Sequence, residues 1–296
     1  YLNYLQETPA EVEALFRDLL IGVTNFFRDP ELFQVLEDKG IPQIFAGKPV
    51  IGGTIRVWIA GCSTGEEAYS IAILLQERME ALRQSYTVQI FATDIDSRSI
   101  AIARAGIYPA SIATDISPER LARFFAAEPG GSAYRVHKGL RDMLIFSEQD
   151  LIKDPPFSKL DLISCRNLMI YFGAPLQKKV LPLFHYSLNP RGMLFLGNSE
   201  GIGDFGDLFT VLDRKAKLYQ RKEDLHGIQR QLMSRYLSPA TALETAVPRA
   251  PKKTAFPLKM PLRELTEQAL LQQFSLAGVL VNEQGDIYYQ HGRTGM

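Results

Sequence analysis

A glycine-containing loop between an apolar run and an amphipathic segment carries the first candidate chemistry. Residues 55–61 read IRVWIAG, and residues 65–82 have the apolar periodicity of a helix. Gly61 and Gly65 allow the intervening backbone to turn sharply and to approach a ligand closely. The helix start also offers free N–H groups and the positive end of a dipole. The loop lacks both the GxGxxG spacing of dinucleotide-binding loops and the lysine of a phosphate-binding loop.

Two glutamates, Glu66 and Glu67, open the predicted helix. Their carboxylates would repel a phosphate, but they suit a cationic ligand such as the aminoacyl sulfonium group of S-adenosylmethionine. The same acids could instead do no more than face the positive end of the helix dipole. The loop taken alone favours ligand binding and leaves this structural interpretation open.

Another acid lies at the end of the next predicted strand. Residues 88–96 read VQIFATDID, one strand–helix–strand unit after the glycine loop. An acid at this place can accept hydrogen bonds from both hydroxyl groups of a ribose. We assign this role to Asp94, and we expect Asp96 to cap the helix that begins at residue 97. The loop and the acid together indicate a cofactor that contains adenosine.

Two further motifs each allow two interpretations. Residues 24–29 read TNFFRD, and two aromatic residues beside an arginine are, by themselves, more typical of core packing with a surface ion pair. Residues 154–157 read DPPF, which resembles the DPPY motif of enzymes that methylate amino groups of nucleic acids. In those enzymes the motif follows a strand, whereas here it precedes the apolar strand 160–167. We therefore expect residues 154–157 to form a loop.

Strands alternate with helices from residue 55 onward, which predicts an α/β fold with a parallel sheet covered on both faces. The predicted strands are 55–61, 88–96, 160–167, 192–200 and 216–222. Residues 30–46 predict a helix broken around Gly40 and Pro42. Residues 107–146 interrupt the alternation and predict a small inserted subdomain with short strands.

Composition limits the possible partners. The 296 residues include 33 lysines and arginines and 33 aspartates and glutamates, so the formal net charge is zero. A protein that binds bulk nucleic acid or an anionic membrane needs a basic excess, so we expect neither partner. No apolar stretch approaches the roughly 18–20 residues that span a bilayer, and we expect no membrane insertion. Two cysteines without a secretory leader favour a reducing cytoplasm, and the scattered histidines predict no metal site.

The motifs together resemble the CheR-type family of chemotaxis receptor glutamate O-methyltransferases. The matching pieces run in the family's order from residue 22 to residue 222: TNFFRD, VWIAGCSTGEEAYSIA, FATDID, SCRNLMIYF and LNPRGMLFLGNSE with LYQR. The resemblance implies a Rossmann-like class I methyltransferase sheet with an inserted antiparallel β subdomain, preceded by a small helical domain. We expect residues 1–20 to be a remnant of that helical domain, residues 21–224 to form the methyltransferase domain, and residues 225–262 to be a linker.

The resemblance also implies the site. The cofactor would be S-adenosylmethionine, the product S-adenosylhomocysteine, and no metal would take part. Glu67 would bind the amino group of the cofactor and Asp94 its ribose, while Asp150 and Leu151 would lie at the adenine. Arg28 and Tyr171 would lie nearest the transferring methyl group as the catalytic pair. The implied cofactor contacts, with Gly61 of the glycine loop, are Thr24, Arg28, Gly61, Glu67, Asp94, Asp150, Leu151, Cys165 and Arg166.

The sequence departs from the family's commonest pattern in places that affect binding. Gly22 and Asp150 stand where many members have asparagine, which could weaken single cofactor contacts. Residues 126–138 read AAEPGGSAYRVHK and lack an arginine ahead of the glycines, so we expect no tethering to the C-terminal pentapeptide of a receptor. Residues 263–296, with the strand–turn–strand pattern AGVLVNEQGDIYYQ, resemble the start of a PAS domain. The chain would then be an excerpt of a hybrid of methylesterase, methyltransferase and PAS domains.

The implied function is transfer of the cofactor's methyl group to glutamate side chains on the cytoplasmic helices of chemoreceptors, which forms glutamate methyl esters. A glutamate with a pKa of about 4.3 is already ionised at neutral pH, so no general base is required. One alternative is a methyltransferase that acts on a nucleic acid or a small molecule. Another is a module that binds S-adenosylmethionine, is catalytically silent and serves a sensory role, although the presence of Arg28 and Tyr171 weighs against it.

Overall fold

The computed structural model describes residues 1–8, 10–12, 15, 22–49 and 52–223, and the backbone of strands at 278–281 and 287–291. The chain divides into two units, Tyr1–Ser238 and Pro239–Met296. The predicted linker, residues 225–262, lies outside the described residues.

The first unit is built on one central sheet. Its strands are β1 (Thr54–Ala60), β2 (Thr87–Asp94), β6 (Leu144–Glu148), β7 (Leu160–Cys165), β8 (Leu188–Leu196), β9 (Phe209–Asp213) and β10 (Leu218–Arg221). Within the described ranges they follow the order β6–β2–β1–β7–β8–β10–β9. Strands β6, β2, β1, β7 and β8 are parallel, and β10 runs antiparallel to both of its neighbours. The predicted Rossmann-like sheet is confirmed.

Helices cover both faces of this sheet, as predicted. The described α-helices of this unit are α1 (Leu2–Glu7), α2 (Pro30–Val35), α3 (Ile41–Phe45), α4 (Glu66–Leu82), α5 (Ser97–Ala105), α6 (Pro118–Phe124), α7 (Lys138–Arg141) and α8 (Ala174–Ser187), of which α4 and α8 pack on opposite faces. Alternate residues of β1 point to opposite faces, as strand geometry requires. Val57 and Ile59 join the core cluster that contains α4, whereas Trp58 and Ala60 join the cluster that contains α8.

The α-helical geometry is interrupted close to the predicted break at Gly40 and Pro42, where a π turn, Leu36–Gly40, separates α2 from α3. The N–H of Ile41 donates to the carbonyl of Leu36, five residues earlier. Pro42 has no N–H to donate and is accommodated in the first turn of α3. The wider turn therefore accommodates the proline and keeps the chain helical between the two α-helices.

The inserted subdomain contains strands β3 (Ile107–Pro109), β4 (Phe125–Ala127) and β5 (Ala133–Val136). Across these fully described residues they form an antiparallel sheet in the order β3–β5–β4, which confirms an antiparallel insertion. The predicted limits, 107–146, run into β6, which belongs to the central sheet and pairs with β2. The apolar segment that begins at Leu144 marks a strand, but its pattern does not say which sheet the strand joins.

In the second unit, strands β11 (Gly278–Val281) and β12 (Ile287–His291) pair antiparallel. They coincide with the two arms of the predicted strand–turn–strand pattern, whose turn, residues 282–286, lies outside the described residues. The assignment of this segment to a PAS domain stays a prediction.

Phe184 tests the packing of α8 on the sheet. Its side chain is fully buried and meets Trp58 edge to face, with ring centroids 5.7 Å apart. We expect Phe184→Ala to lower the free energy of unfolding by about 3–5 kcal/mol in urea titrations. Val211 on β9 is 43% exposed, and Val211→Ala should change that free energy by less than about 1 kcal/mol. Equal stability of the two variants would contradict the described packing.

Candidate active site

A cavity of about 420 Å³ opens at the carboxyl edge of the parallel strands. Residues from segments 22–28, 61–67, 94–99 and 166–172 line it. The last three segments directly follow or end β1, β2 and β7, whose carboxyl ends meet at this edge. Strand β1 pairs with β2 on one side and with β7 on its other side, so the strand order changes direction at β1. The cavity therefore lies at a topological switch point of the sheet.

The glycines of the first loop are required by its geometry, as the sequence predicts. Gly61 has φ +74°, and a Cβ atom there would lie 2.9 Å from the side chain of Leu168. Gly65 has φ +95°, and a Cβ atom there would lie 2.9 Å from the Cβ of Ala103. The N–H of Gly61 donates to the carbonyl of Thr93 at 2.8 Å. The loop therefore folds tightly over the end of β2 and leaves the cavity open.

Asp94 and Asp96 have different surroundings in the structure. Asp94 borders the cavity, and its carboxylate accepts the N–H of Ser63 at 2.7 Å and the N–H of Asp96 at 3.0 Å. Asp96 caps α5 by accepting the N–H groups of Arg98 and Ser99, which confirms the capping prediction. Burial opposes its ionisation, but the Ser99 hydroxyl and these N–H groups lower the pKa of Asp96 overall. The ribose role of Asp94 stays a prediction.

Glu67 is the buried carboxylate of the cavity. Its Oε1 accepts the hydroxyl hydrogen of Ser164 at 2.6 Å, and its Oε2 lies 3.4 Å from Nη1 of Arg166. Burial raises the pKa of Glu67 above its usual value, although Arg166 and Ser164 act in the opposite direction. Ser164 is not among the residues predicted for the site. The sequence could have indicated Ser164, because it is a polar residue inside an apolar strand. It stands two positions before Arg166 and therefore on the same face of the sheet.

Arg166 joins the cavity to segment 24–29. Its side chain is fully buried, and its Nη2 donates to Oδ2 of Asp29 and to the carbonyl of Arg28, each at 2.7 Å. The guanidinium also lies over the rings of Phe33 and Phe195, at 5.0 and 4.9 Å from their centroids. The sequence analysis did not assign Asp29, whose partner is 137 positions away along the chain.

Segment 24–29 combines the two interpretations that its sequence allowed. Phe26 and Phe27 are buried in the core, whereas Thr24 and Arg28 line the cavity. The Arg28 guanidinium donates to the carbonyl of Val23 at 2.8 Å. Instead of the expected surface ion pair, Asp29 of this segment forms a partly buried ion pair with Arg166.

Tyr171 lies at the mouth of the cavity. It ends a short 3₁₀ helix, Met169–Tyr171, that follows β7, and its side chain is 55% exposed. Tyr171 and Arg28 therefore border the same cavity as Glu67 and Asp94. The structure brings the two predicted catalytic residues to one opening.

Three predicted cofactor contacts do not line the cavity with their side chains. The Asp150 carboxylate accepts the N–H of Ile152 at 2.9 Å and pairs with Lys153. Leu151 packs partly buried against the core cluster that contains α8. Cys165 is fully buried in the same cluster, and this burial raises the pKa of its thiol. Their contacts with the cofactor stay predictions.

The DPPF segment forms a loop without regular structure ahead of β7, as predicted. Its Phe157 stacks on Phe91, with ring centroids 4.3 Å apart, and meets Trp58 edge to face. The motif therefore packs on the core and does not line the cavity.

The fold and the cavity together define a class. A Rossmann-like sheet with this strand order, and an acidic cavity suited to a cation at its switch point, are the features of methyltransferases that use S-adenosylmethionine. Residues 22–218 match the family described as "CheR methyltransferase, SAM binding domain". The chain belongs to this family, which confirms the resemblance and the cofactor.

Individual relatives agree with the family. A Rhodobacter capsulatus protein named "Uncharacterized 104.1 kDa protein in hypE 3'region" is 40% identical over 220 residues, which are 74% of this chain and 23% of that relative. "Chemotaxis protein methyltransferase 2" of Vibrio cholerae is 33% identical over 71% of this chain and 74% of its own length. "Chemotaxis protein methyltransferase" of Vibrio parahaemolyticus is 37% identical over 64% and 68%. This chain thus spans about a quarter of the first relative.

Two features of the described residues concern membranes and metals. Within those residues, no helix combines the length and apolar character needed to cross a membrane. In the same part of the chain, no cluster of three or more His, Cys, Asp or Glu side chains could hold a metal ion.

The raised pKa of Glu67 predicts how cofactor binding depends on pH. An ammonium group is bound by the ionised carboxylate, so affinity should be highest above the raised pKa and should fall as the pH drops through it. Glu67→Gln should weaken S-adenosylhomocysteine binding about ten- to hundredfold and remove this pH dependence, because a charge-assisted hydrogen bond is lost. Titration calorimetry across the pH range measures both effects.

Glu66 provides the matched control. Burial also raises its pKa, but its carboxylate accepts the hydroxyl of Thr64, and it does not line the cavity. Glu66→Gln should therefore retain both the affinity and its pH dependence. If the pH dependence persisted in Glu67→Gln and vanished in Glu66→Gln, the titrating group would be Glu66, and the prediction for Glu67 would be wrong.

Proposed function

We propose that the protein transfers the methyl group of S-adenosylmethionine to glutamate side chains on the cytoplasmic helices of chemoreceptors and forms glutamate methyl esters. The observation that carries the proposal is the cavity that Arg28 and Tyr171 line together with the acids Glu67 and Asp94. Membership of the CheR family supports it. We place the reaction in the cytoplasm, since both cysteines are free thiols, as a reducing compartment favours.

The charges of the cavity fit a cationic cofactor. Two carboxylates, Asp29 and Glu67, share the single guanidinium of Arg166, so this buried group has an excess negative charge. Glu67 would hold the amino group, Asp94 the ribose, and the backbone at Gly61 would allow a close approach. When bound, S-adenosylmethionine supplies an electrophilic methyl group on a positively charged sulfur.

Arg28 and Tyr171 would orient the acceptor. A guanidinium has five N–H donors, so Arg28 can hold a carboxylate by charge-assisted hydrogen bonds while it donates to the carbonyl of Val23. The Tyr171 hydroxyl would donate to the acceptor carboxylate and limit access of water. The acceptor glutamate is already ionised at neutral pH, so the task of these residues is alignment and desolvation rather than proton removal.

The inserted subdomain supports a partner that binds without a tether. At the β4–β5 turn, Arg135 forms an ion pair with Glu128, and both glycines of the turn have positive φ. We propose that the receptor's C-terminal pentapeptide is not captured there, and that the methylated helices themselves are recognised. With a formal net charge of zero, nucleic acid is not a proposed partner.

Arg28→Ala tests the mechanism. We expect it to reduce methyl transfer at least about a hundredfold, because the acceptor carboxylate loses its charged partner. The assay incubates the protein with methyl-labelled cofactor and receptor-rich membranes, and measures the methanol that alkali releases from methyl esters. Arg214 on the exposed β9–β10 turn is the control, and Arg214→Ala should retain wild-type turnover.

Two other outcomes would favour other functions. Label that alkali does not release would indicate methylation of nitrogen or of another acceptor. Tight cofactor binding without transfer to any receptor preparation would indicate a catalytically silent sensory module. Wild-type turnover by Arg28→Ala would remove Arg28 from the mechanism.

A further inference from the structure

A second buried carboxylate, Glu200, lies behind the segment that carries Tyr171. Glu200 follows β8 and is only 6% exposed. Its Oε2 accepts the N–H groups of Asn167 at 3.0 Å and Gly197 at 2.7 Å, and its Oε1 accepts the N–H of Met169 at 2.7 Å. A buried carboxylate is costly unless its oxygens are hydrogen-bonded, and these N–H groups meet that requirement.

The backbone around Glu200 is adapted to this contact. Asn167 has φ +59°, a left-handed conformation that a non-glycine residue adopts only where its surroundings hold it. A Cβ atom on Gly197 would lie 2.7 Å from Oε2 of Glu200 and 2.8 Å from the nitrogen of Asn167. Glycine is therefore needed for the carboxylate to reach the turn after β7.

Gln177 on α8 holds the same segment from its other polar side. Its Nε2 donates to the carbonyl of Met169 and to the carbonyl of Phe172, both at 3.0 Å. The Glu200 carboxylate thus binds N–H groups of segment 167–172, and the Gln177 amide binds carbonyls of the same segment, which contains the 3₁₀ helix that ends in Tyr171. Tyr171 is largely exposed, so packing contributes little to its position.

We propose that Glu200 and Gln177 are positioning residues that keep Tyr171 at the mouth of the methyl-transfer cavity. This inference rests on the proposed function, which gives Tyr171 its role. A displacement of about 1 Å at a reacting centre can cost on the order of a hundredfold in rate, so hydrogen bonds behind the segment affect turnover. Neither residue lines the cavity, and both act through the backbone of residues 167–172.

Glu200→Gln and Gln177→Met are the test variants. Glu200→Gln keeps the shape of the side chain but turns an NH₂ group toward backbone N–H donors. Gln177→Met removes the amide donor that binds the carbonyls of Met169 and Phe172. Each should lower kcat about tenfold or more, while the affinity for S-adenosylhomocysteine changes less than about threefold. Glu119 is an exposed carboxylate on α6, and Glu119→Gln should leave kcat unchanged.

A double-mutant cycle separates positioning from general destabilisation. If Glu200 acts through Tyr171, Glu200→Gln should have little further effect on kcat in a Tyr171→Phe background. Fully additive losses in kcat would overturn the proposal, because the carboxylate would then act independently of the tyrosine. The same cycle with Gln177→Met gives a second, independent reading if Glu200→Gln folds poorly.

Hydrogen exchange gives a readout that does not depend on activity. In the wild-type protein the amides of Asn167 and Met169 should be protected, and Glu200→Gln should abolish this protection while distant strands retain theirs. Unchanged protection would overturn the proposal even if kcat fell. If the wild-type protein formed no methyl ester while the exchange pattern behaved as expected, the proposed function would fail and the structural role of Glu200 would stand.

Discussion

The candidate site depends on the buried guanidinium of Arg166. This one group reaches Glu67 on the first turn of α4, Asp29 in segment 24–29 and the backbone of Arg28. A planar guanidinium can serve several acceptors at fixed angles, whereas a lysine would offer a single charged point. A buried charge without partners is strongly destabilising. The first turn of α4 and segment 24–29 must therefore pack against the end of β7 for Arg166 to be tolerated. The same contacts that stabilise Arg166 therefore bring together the walls of the cavity.

The charge balance of this group explains the choice of ligand. One cation faces two carboxylates, and burial opposes ionisation of Glu67. We infer that an ammonium or sulfonium group bound here would restore neutrality, because charges interact more strongly in a partly buried site than in solution. Glu67 therefore has contacts besides the helix dipole, with Ser164 and Arg166, whereas Glu66 does not line the cavity.

The backbone around the cavity is held in uncommon conformations by this packing. Among the described residues, four of the eight non-glycine residues with positive φ lie on or beside the loops of the cavity: Phe27, Asp29, Ser63 and Asn167. Such conformations persist only when neighbouring contacts determine them. The insertion contributes to this packing through Arg120 on α6. Arg120 forms ion pairs with Glu37, in the π turn between α2 and α3, and with Glu77 on α4. Its guanidinium also lies over the ring of Phe27. A surface element of the inserted subdomain therefore supports the segment that carries Arg28.

Features that depend on near neighbours along the chain could be predicted from the amino-acid sequence. The strands β1, β2 and β7, the tight turn at Gly61 and the cap at Asp96 follow from local periodicity, from φ preferences and from hydrogen bonds spanning a few residues. Tertiary structure alone decided that Ser164 meets Glu67, that Asp29 meets Arg166, and that the strand at Leu144 joins the central sheet. The reason is that an ion pair or hydrogen bond between positions about a hundred apart leaves no periodic trace in the chain. Burial determines which face of each strand or helix points into the core, and the packing of these elements then determines which distant side chains meet.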